Sequence, residues 1–419
     1  MLALPVLLAV FQIRPAVLNT PPAVLDLLGR LAAIGGLSCL LLAAVLAVRV
    51  PGFDRLFGGF TRLRHLHHGL GAAALILLLA HPLLLAFAAA ELSLAAAVQT
   101  LFPGTLASVL GWTALIVMMV FLAPSFAFFG EPEYQRWKLL HRLSVAALLL
   151  ALGHTFSVSQ SLPPPWHAIV WGGLAILAVA AVTYRLIFSR RLGRLRYRVQ
   201  GVARPANNVV ELSLEPEGRP LSYEPGQFVY LTPYDRQLTA GYAEEHPYTL
   251  TSSPREAVLR IAIKDRGDSS RSLQHITPGA PVEVEGPYGD FFPAEPGTEL
   301  WIAGGIGVSP FLGRARHLAG STGTADIRMI YCVQDEARAL FREELENIAD
   351  SIDRFTLTMH FFYGEGPIDA DFLAAHCVDL AERSAYICGP SPLLTAARRQ
   401  LLAAGANADL IYSEEFNLL

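Results

Sequence analysis

Five long apolar runs crowd the first half of this chain, and they restrict its fold more than any other feature. They occupy residues 31–48, 69–90, 106–129, 139–158 and 167–188. Each is close to the ~20 residues that a helix needs to cross ~30 Å of hydrocarbon. Lipid offers no partner for backbone N–H and C=O groups, so runs of this kind must form helices. A shorter run, Met1–Ile13, stops at Arg14-Pro15. It is too short to span alone and lacks a basic leader and a clear cleavage site. It therefore reads as the end of a first helix or an interfacial segment rather than a signal peptide.

From residue 196 onward the chain reads like an ordinary water-soluble protein. The 419 residues are 53% apolar and only 16% charged, and the apolar excess lies in the first half. This length accommodates two or three domains. A net charge of −4 gives no sign of a nucleic-acid partner, and no obligatory protein partner is evident. Cys39, Cys332, Cys377 and Cys388 have neither metal-ligand spacing nor a disulfide framework, which points to a reducing compartment for the soluble half.

Orientation follows from the basic residues. Arg49, Arg55, Arg62 and Arg64 lie in one loop, Arg136 and Lys138 precede the 139–158 run, and the last run leaves through RLIFSRRLGRLRYR. The connections at 91–105 and 159–166 contain no Lys or Arg. The positive-inside rule then places the basic loops and the soluble half in the cytoplasm, beneath an inner or plasma membrane. Arg14 and Arg30 fall on the other side of that rule.

Four histidines lie inside the apolar half: His67 and His81 on one run, His141 and His154 on another. Ionisable groups in a membrane are costly and usually functional, and neutral imidazole is a good axial ligand to haem iron. Fourteen residues of helix rise about 21 Å, so two bis-histidine haems of the b type could sit one near each leaflet. At ~100° per residue His67 and His81 differ by about 40° and share a face, while His141 and His154 differ by about 140°. Tilt, bending or a π-bulge must supply that difference. His68 is a rival to His67, and a buried polar contact to a backbone carbonyl is the plain reading of any single membrane histidine. His65 and His167 lie at run ends and read as interfacial.

In the soluble half, short alternating stretches (VVELSLEP, GQFVYLTP, LRIAIKD, APVEVEGP) predict an antiparallel β-barrel over 196–293. Over 297–419, strands and helices alternate as in a doubly wound α/β sheet. Gly304, Gly305 and Gly307 sit where a strand, ELWIAG, gives way to a helix, a place where backbone can approach a phosphate. With an α-helical transmembrane bundle over 1–190, the chain is expected to be multi-domain.

HPYTLTSSP, IKDRGDSSRSL, EGPYGDF, AGGIGVSPF and ICGPSPLL follow one another in that order. They resemble the flavin and nicotinamide domains of the ferredoxin-reductase type. With His246 where soluble members usually carry arginine, and with the four-histidine membrane half, the chain resembles the NADPH oxidase and ferric reductase superfamily. The resemblance implies FAD held by His246, Pro247, Tyr248 and Thr249, with its pyrophosphate on Lys264, Ser269 and Ser270. It implies NADPH, or NADH, with phosphates on Gly304, Gly305 and Gly307 and its ring beside Cys388, Gly389 and Pro390. Phe416 resembles the terminal aromatic that covers the flavin; Cys388, Phe416 and Thr249 would be the residues nearest the chemistry. Arg142 would either pair with a haem propionate or serve only as an interfacial anchor. Gln334-Asp335-Glu336 lack the arginine expected to grip a 2′-phosphate, for which Arg338 would substitute.

The implied path runs from cytoplasmic NAD(P)H through FAD to a haem on His67 and His141. A second haem on His81 and His154 then passes electrons to an acceptor across the lipid bilayer. The short, nearly uncharged outer loops favour O2, giving superoxide, over a ferric chelate. A haem-free membrane-tethered flavin reductase and a haem-binding sensor are the other readings.

Overall fold

The computed structural model describes residue 5 and residues 19–102, 104–125, 134–158, 164–188, 193–292, 297–319 and 326–415. Apart from residue 5, the Met1–Ile13 run lies outside the described residues, as does Phe416. The chain divides into two compact units: Met1–Arg49 with Arg62–Phe188, and Val50–Thr61 with Ser189–Leu419.

The first unit is helical. It contains α1 (Pro21–Leu46), α2 (Phe60–Ala90), α3 (Leu94–Leu101), α4 (Leu106–Leu122), α5 (Tyr134–His141), α6 (Ser144–Val158) and α7 (Pro164–Thr183). Among the described residues, five stretches are long and apolar enough to cross a membrane, with α5 and α6 together making one of them. Several ends differ from the apolar runs, for physical reasons. α1 starts ten residues early because proline suits a first helical turn and an Asp26–Arg30 pair at 2.8 Å lies along its surface. α2 extends back over the polar turn holding Arg62, Arg64 and His65, which hydropathy does not register as helix. α4 stops at Leu122 and tightens into a 3₁₀ turn over Ala123–Ser125, which contains Pro124.

α1 and α2 approach closely because α1 carries glycines at the contact. A Cβ on Gly36 would sit 2.6 Å from Leu78 Cγ, and one on Gly29 would sit 2.9 Å from Leu85 Cδ2. Small residues permit such approach where lipid supplies no hydrophobic drive between helices. Leu41, Met118 and Trp171 are fully enclosed at the centre of this unit.

The second unit begins with an antiparallel sheet of β1 (Arg194–Ala206), β2 (Val209–Pro216), β3 (Phe228–Pro233), β4 (His246–Thr249), β5 (Leu259–Lys264) and β6 (Pro281–Tyr288). Its order is β4-β3-β6-β1-β2-β5, and a bridge from Leu250 to Ile261 ties its two ends, so the sheet curls into a half-barrel. The short helix α8 (Asp268–Leu273) follows β5. Then come β7 (Thr298–Gly304), α9 (Ser309–Ala319), β8 (Asp326–Val333), α10 (Arg342–Ser351), β9 (Phe355–Phe361), α11 (Ala370–His376), β10 (Ser384–Gly389), α12 (Ser391–Ala403) and β11 (Ile411–Glu415). These strands form a parallel sheet ordered β11-β10-β7-β8-β9. Arg316 on α9 links its two sheets, donating to Glu211 on β2 at 2.8 Å, to the Thr251 carbonyl at 2.8 Å and to Glu344 on α10 at 2.6 Å.

The α1–α2 contact makes a direct prediction. Gly36→Leu forces a branched side chain against Leu78 and should cost about 1–3 kcal/mol or more, the usual price of overpacking. The check is thermal unfolding in detergent, where the midpoint should fall by several degrees while the soluble half melts as before.

Candidate redox sites

The structure brings the four membrane histidines together in two pairs. The rings of His67 and His141 lie 6.2 Å apart between centroids, and those of His81 and His154 lie 6.5 Å apart. A metal with an imidazole nitrogen about 2 Å away on each side would set two ring centroids roughly 6 Å apart. Three of the four Nδ1 atoms are occupied elsewhere. His67 Nδ1 bonds the Ala43 carbonyl at 2.9 Å, His81 Nδ1 the Gly29 carbonyl at 2.9 Å, and His154 Nδ1 the Ala107 carbonyl at 2.8 Å. An Nδ1–H given to a carbonyl fixes the tautomer and leaves Nε2 as the lone-pair donor.

The spacing is repeated on both partners. On α2 the histidines are 81 − 67 = 14 residues apart, and on antiparallel α1 their acceptors are 43 − 29 = 14 apart. His68 is exposed, and of the two neighbours it is His67 whose ring lies 6.2 Å from that of His141.

His141 differs from the others. Its Nδ1 is buried with no hydrogen-bond partner among the described residues, and its ring is held by packing. Trp137 stacks on it at 5.0 Å and Phe121 meets it edge-on at 5.3 Å. His141 ends α5, and the chain reaches α6 through a tightened turn in which Arg142 N donates to Leu139 O and Leu143 N to Leu140 O. Such 3₁₀ steps turn about 120° each, in the sense that carries His154 back toward the face of His141. This tightened turn supplies about 40° of the roughly 140° left over by the histidine spacing, where tilt, bending or a π-bulge was the sequence expectation. Arg142 itself is exposed, as is His65, while His167 lies half-buried against Phe156 at 5.5 Å.

Gly111 faces the second pair: a Cβ there would lie 2.9 Å from His154 Nδ1. Among the described residues, no group of three or more His, Cys, Asp or Glu could hold a bare metal ion. Opposed pairs match a haem, whose own ring supplies the other four ligands.

In the half-barrel, His246, Pro247, Tyr248 and Thr249 form β4, hydrogen-bonded to β3 in the register Phe228↔Thr249 through Leu231↔His246. Thr249 is buried, Tyr248 packs half-buried on the barrel core, and His246 Nε2 lies 3.5 Å from the Glu244 carboxylate. Lys264 ends β5 with no acidic partner among the described residues; burial first, then Arg266 and Arg338, push its ammonium below the ordinary lysine value. A cation crowded by cations suits an anionic ligand. Ser269 Oγ is buried with no hydrogen-bond partner among the described residues. Ser270 is differently employed: its Oγ accepts from the N–H groups of Arg266 and Gly267, both at 2.9 Å, and so closes the loop itself.

The order of strand addition in the parallel sheet reverses between β7 and β10, the switch point at which doubly wound sheets bind ligands. Gly304, Gly305 and Gly307 follow β7 there, beside Cys388, Gly389 and Pro390 at the end of β10. A Cβ on Gly307 would lie 2.3 Å from the Cys388 carbonyl oxygen, and one on Gly304 would lie 2.3 Å from Leu393 Cδ2. Gly305 is different, with φ +55 and open space beside it. Gly304 and Gly307 therefore let two loops touch, whereas Gly305 leaves backbone open to a ligand. Cys388 is fully buried, and burial pushes its thiol well above the usual range. Arg338 pairs with Asp335 and lies 5.8 Å from the Tyr363 ring.

Residues 32–152 match a family described as a ferric reductase like transmembrane component. Residues 194–291 match an FAD-binding domain, and residues 301–399 an oxidoreductase NAD-binding domain. The chain has the architecture of the NADPH oxidase and ferric reductase superfamily. The soluble half is similar to the ferredoxin reductase component of 3-ketosteroid-9-alpha-monooxygenase from Mycolicibacterium smegmatis: 33% identity over 206 residues, 48% of this chain and 57% of that protein. It is also similar to an NADPH oxidoreductase of Mycobacterium tuberculosis, 25% identical over 232 residues, 53% of this chain and 60% of that one. The chain thus spans less than two thirds of these relatives. A flavohemoglobin from Malassezia yamatoensis shares the fold at TM-score 0.52 and 20% identity, over 94% of this chain and 97% of its own.

Sequence reasoning missed the backbone acceptors at Ala43, Gly29 and Ala107, because a carbonyl carries no residue signature. Gly29 and Gly36, seven apart on an apolar helix, were the available signal of close approach. For the nucleotide turn, Gly307→Ala must push the turn from Cys388. NADPH affinity should fall at least tenfold with FAD binding unchanged, measured by separate titrations of each.

Proposed function

We propose that this superfamily member is a transmembrane NAD(P)H oxidase: electrons from cytoplasmic NAD(P)H pass through FAD and two bis-histidine haems to O2, with superoxide as product. One observation carries the membrane part of this reading: the two facing imidazole pairs, three of whose rings are turned by Nδ1 bonds so that Nε2 is left for a metal. When bound, FAD supplies acceptance of a hydride with release of single electrons, and haem iron supplies one-electron exchange.

The residues have separable tasks. His67 with His141, and His81 with His154, would hold the two irons about 21 Å apart along the helix, the span of fourteen residues. β4 would place the flavin ring through His246, Pro247, Tyr248 and Thr249, while Lys264 and Ser269 take the pyrophosphate charge. Gly305 would admit the nicotinamide dinucleotide's phosphates, and Cys388, Gly389 and Pro390 would border its ring. Arg338 would serve a 2′-phosphate by exchanging Asp335 for it. Orientation rests on the basic loops, and on the segment Val50–Thr61, which belongs to the same compact unit as the soluble half.

A second reading has its own observation. Imidazole-to-carbonyl bonds between helices are also what a haem-free, membrane-tethered flavin reductase would use its histidines for. Purified full-length protein with FAD separates the readings under anaerobic NADPH. Reduction of a haem Soret band, followed by reoxidation in air with superoxide formed, is the expected result. Reoxidation by ferric citrate but not by air transfers the assignment to ferric reductase. Absence of a Soret band leaves the haem-free reading.

The pairs also predict how variants divide. Gly111→Leu presses on His154 and should alter only one haem, so the Soret intensity falls by about half while the His67–His141 pair is retained. Measurement of haem per chain by alkaline pyridine extraction provides the check.

A further inference from the structure

The loop between α1 and α2 places a carboxyl group inside the flavin and nucleotide unit. Asp54 lies in a short 3₁₀ turn, Phe53–Phe57, flanked by the left-handed glycines Gly52 (φ 80) and Gly58 (φ 77). Its residue is only 3% exposed. Oδ2 accepts a hydrogen bond from the Gly289 N–H at 3.1 Å, while Oδ1 is buried with no partner among the described residues. Arg55 lies 3.6 Å from Asp290, and Phe60 packs edge-on against Phe228 at 5.2 Å. The loop is therefore seated by a hydrogen bond, an ion pair and an aromatic contact.

A third carboxyl group arrives from the other sheet. Glu414 on β11 lies in register with Cys388 on β10. A Cβ built on Gly289 would be 3.6 Å from Glu414 Oε1. Gly289 follows Tyr288, which pairs with Phe228, which in turn pairs with Thr249. The three carboxyls thus meet two strand spacings, about 10 Å, from the proposed flavin strand, and beside the cysteine at the end of β10.

The groups facing this seam are Asp54, Asp290, Glu414, the Cys388 thiol and, as cation, Arg55. Like charges gathered around a buried carboxyl such as that of Asp54 disfavour one another's ionisation. Burial first, then Asp54 and Asp290, push Glu414 up to about 8. Burial also raises Asp54, with Asp290 adding, against the opposing Gly289 N–H bond.

We propose that Asp54 is a positioning residue which, with Asp290, completes a shared-proton carboxyl site around Glu414, so that the loop between the membrane helices seats while Glu414 carries a proton. The sign follows from the shift. A carboxyl held above its ordinary value favours the seated state at low pH, and this contribution is lost as pH rises through about 8. Ionised Glu414 then repels Asp54 and Asp290 and loosens the loop. The proposal concerns the soluble unit alone and stands whether or not the membrane histidines bind haem.

Infrared difference titration of the full-length FAD-loaded protein tests it, from about pH 6 to about pH 10. A protonated-carboxyl band should persist at neutral pH, vanish in Glu414→Gln, and titrate at least about one pH unit lower in Asp54→Asn, as removal of a like charge demands. Absence of the band at neutral pH, or a midpoint unmoved by Asp54→Asn, overturns the proposal. Tryptic cleavage between Arg55 and Arg62 gives a readout that needs no change at Asp54. Relative to Glu414→Gln at the same pH, the native protein should be cut severalfold faster near pH 9 than near pH 7. A ratio flat with pH also overturns it.

Discussion

Hydrogen bonds from histidine Nδ1 to carbonyls of neighbouring helices set the terms for the membrane unit. A carbonyl inside a helix is already engaged along its own chain, yet it has a second lone pair to offer. To reach it, an imidazole must come within 2.9 Å of another helix's backbone, as His67 does at Ala43 and His81 at Gly29. That proximity explains why α1 carries Gly29 and Gly36 against Leu85 and Leu78, and why α4 carries Gly111 against His154. Helix spacing, ring direction and the free Nε2 lone pairs are consequences of one set of contacts. His141 is the exception, held by Trp137 and Phe121, and its pair is the one whose geometry depends most on aromatic packing.

The water-soluble unit solves a similar problem with glycine. Two backbone segments, the turn after β7 and the end of β10, meet at the switch point of the parallel sheet. Gly307 lies under the Cys388 carbonyl, and Gly389 lies against Gly304. This contact leaves the Gly305 backbone facing open space. The ion pairs of Arg316 then join the half-barrel to the parallel sheet, and so tie together the two parts that carry the proposed flavin strand and the proposed nucleotide turn.

Much of this was legible in the residues. The membrane helices follow from hydropathy, the soluble folds from alternating strand and helix patterns, and the histidine spacing from counting. Helix ends were less legible: polar turns such as Arg62–His65 are helical because backbone bonding continues beyond the apolar run. The choice between His67 and His68 was open, because adjacent residues differ by about 100° and only the neighbouring helix decides. The 141–154 spacing pointed to an irregularity, and the structure supplies a tightened turn at Arg142–Leu143. Ser270 is a pyrophosphate ligand by resemblance alone, and what the structure adds is that its hydroxyl closes its own loop. Asp54 and Glu414 lie 360 residues apart, a separation given by 414 − 54, and no pattern in either neighbourhood announces their meeting.

The central claim is that the facing imidazoles are axial ligands, and electron paramagnetic resonance of the oxidised, purified protein tests it most directly. The account predicts low-spin ferric signals of bis-imidazole type from two haems per chain, with one lost in His141→Ala and the other in His154→Ala. A high-spin signal, a single haem that survives either substitution, or no haem at all would contradict it.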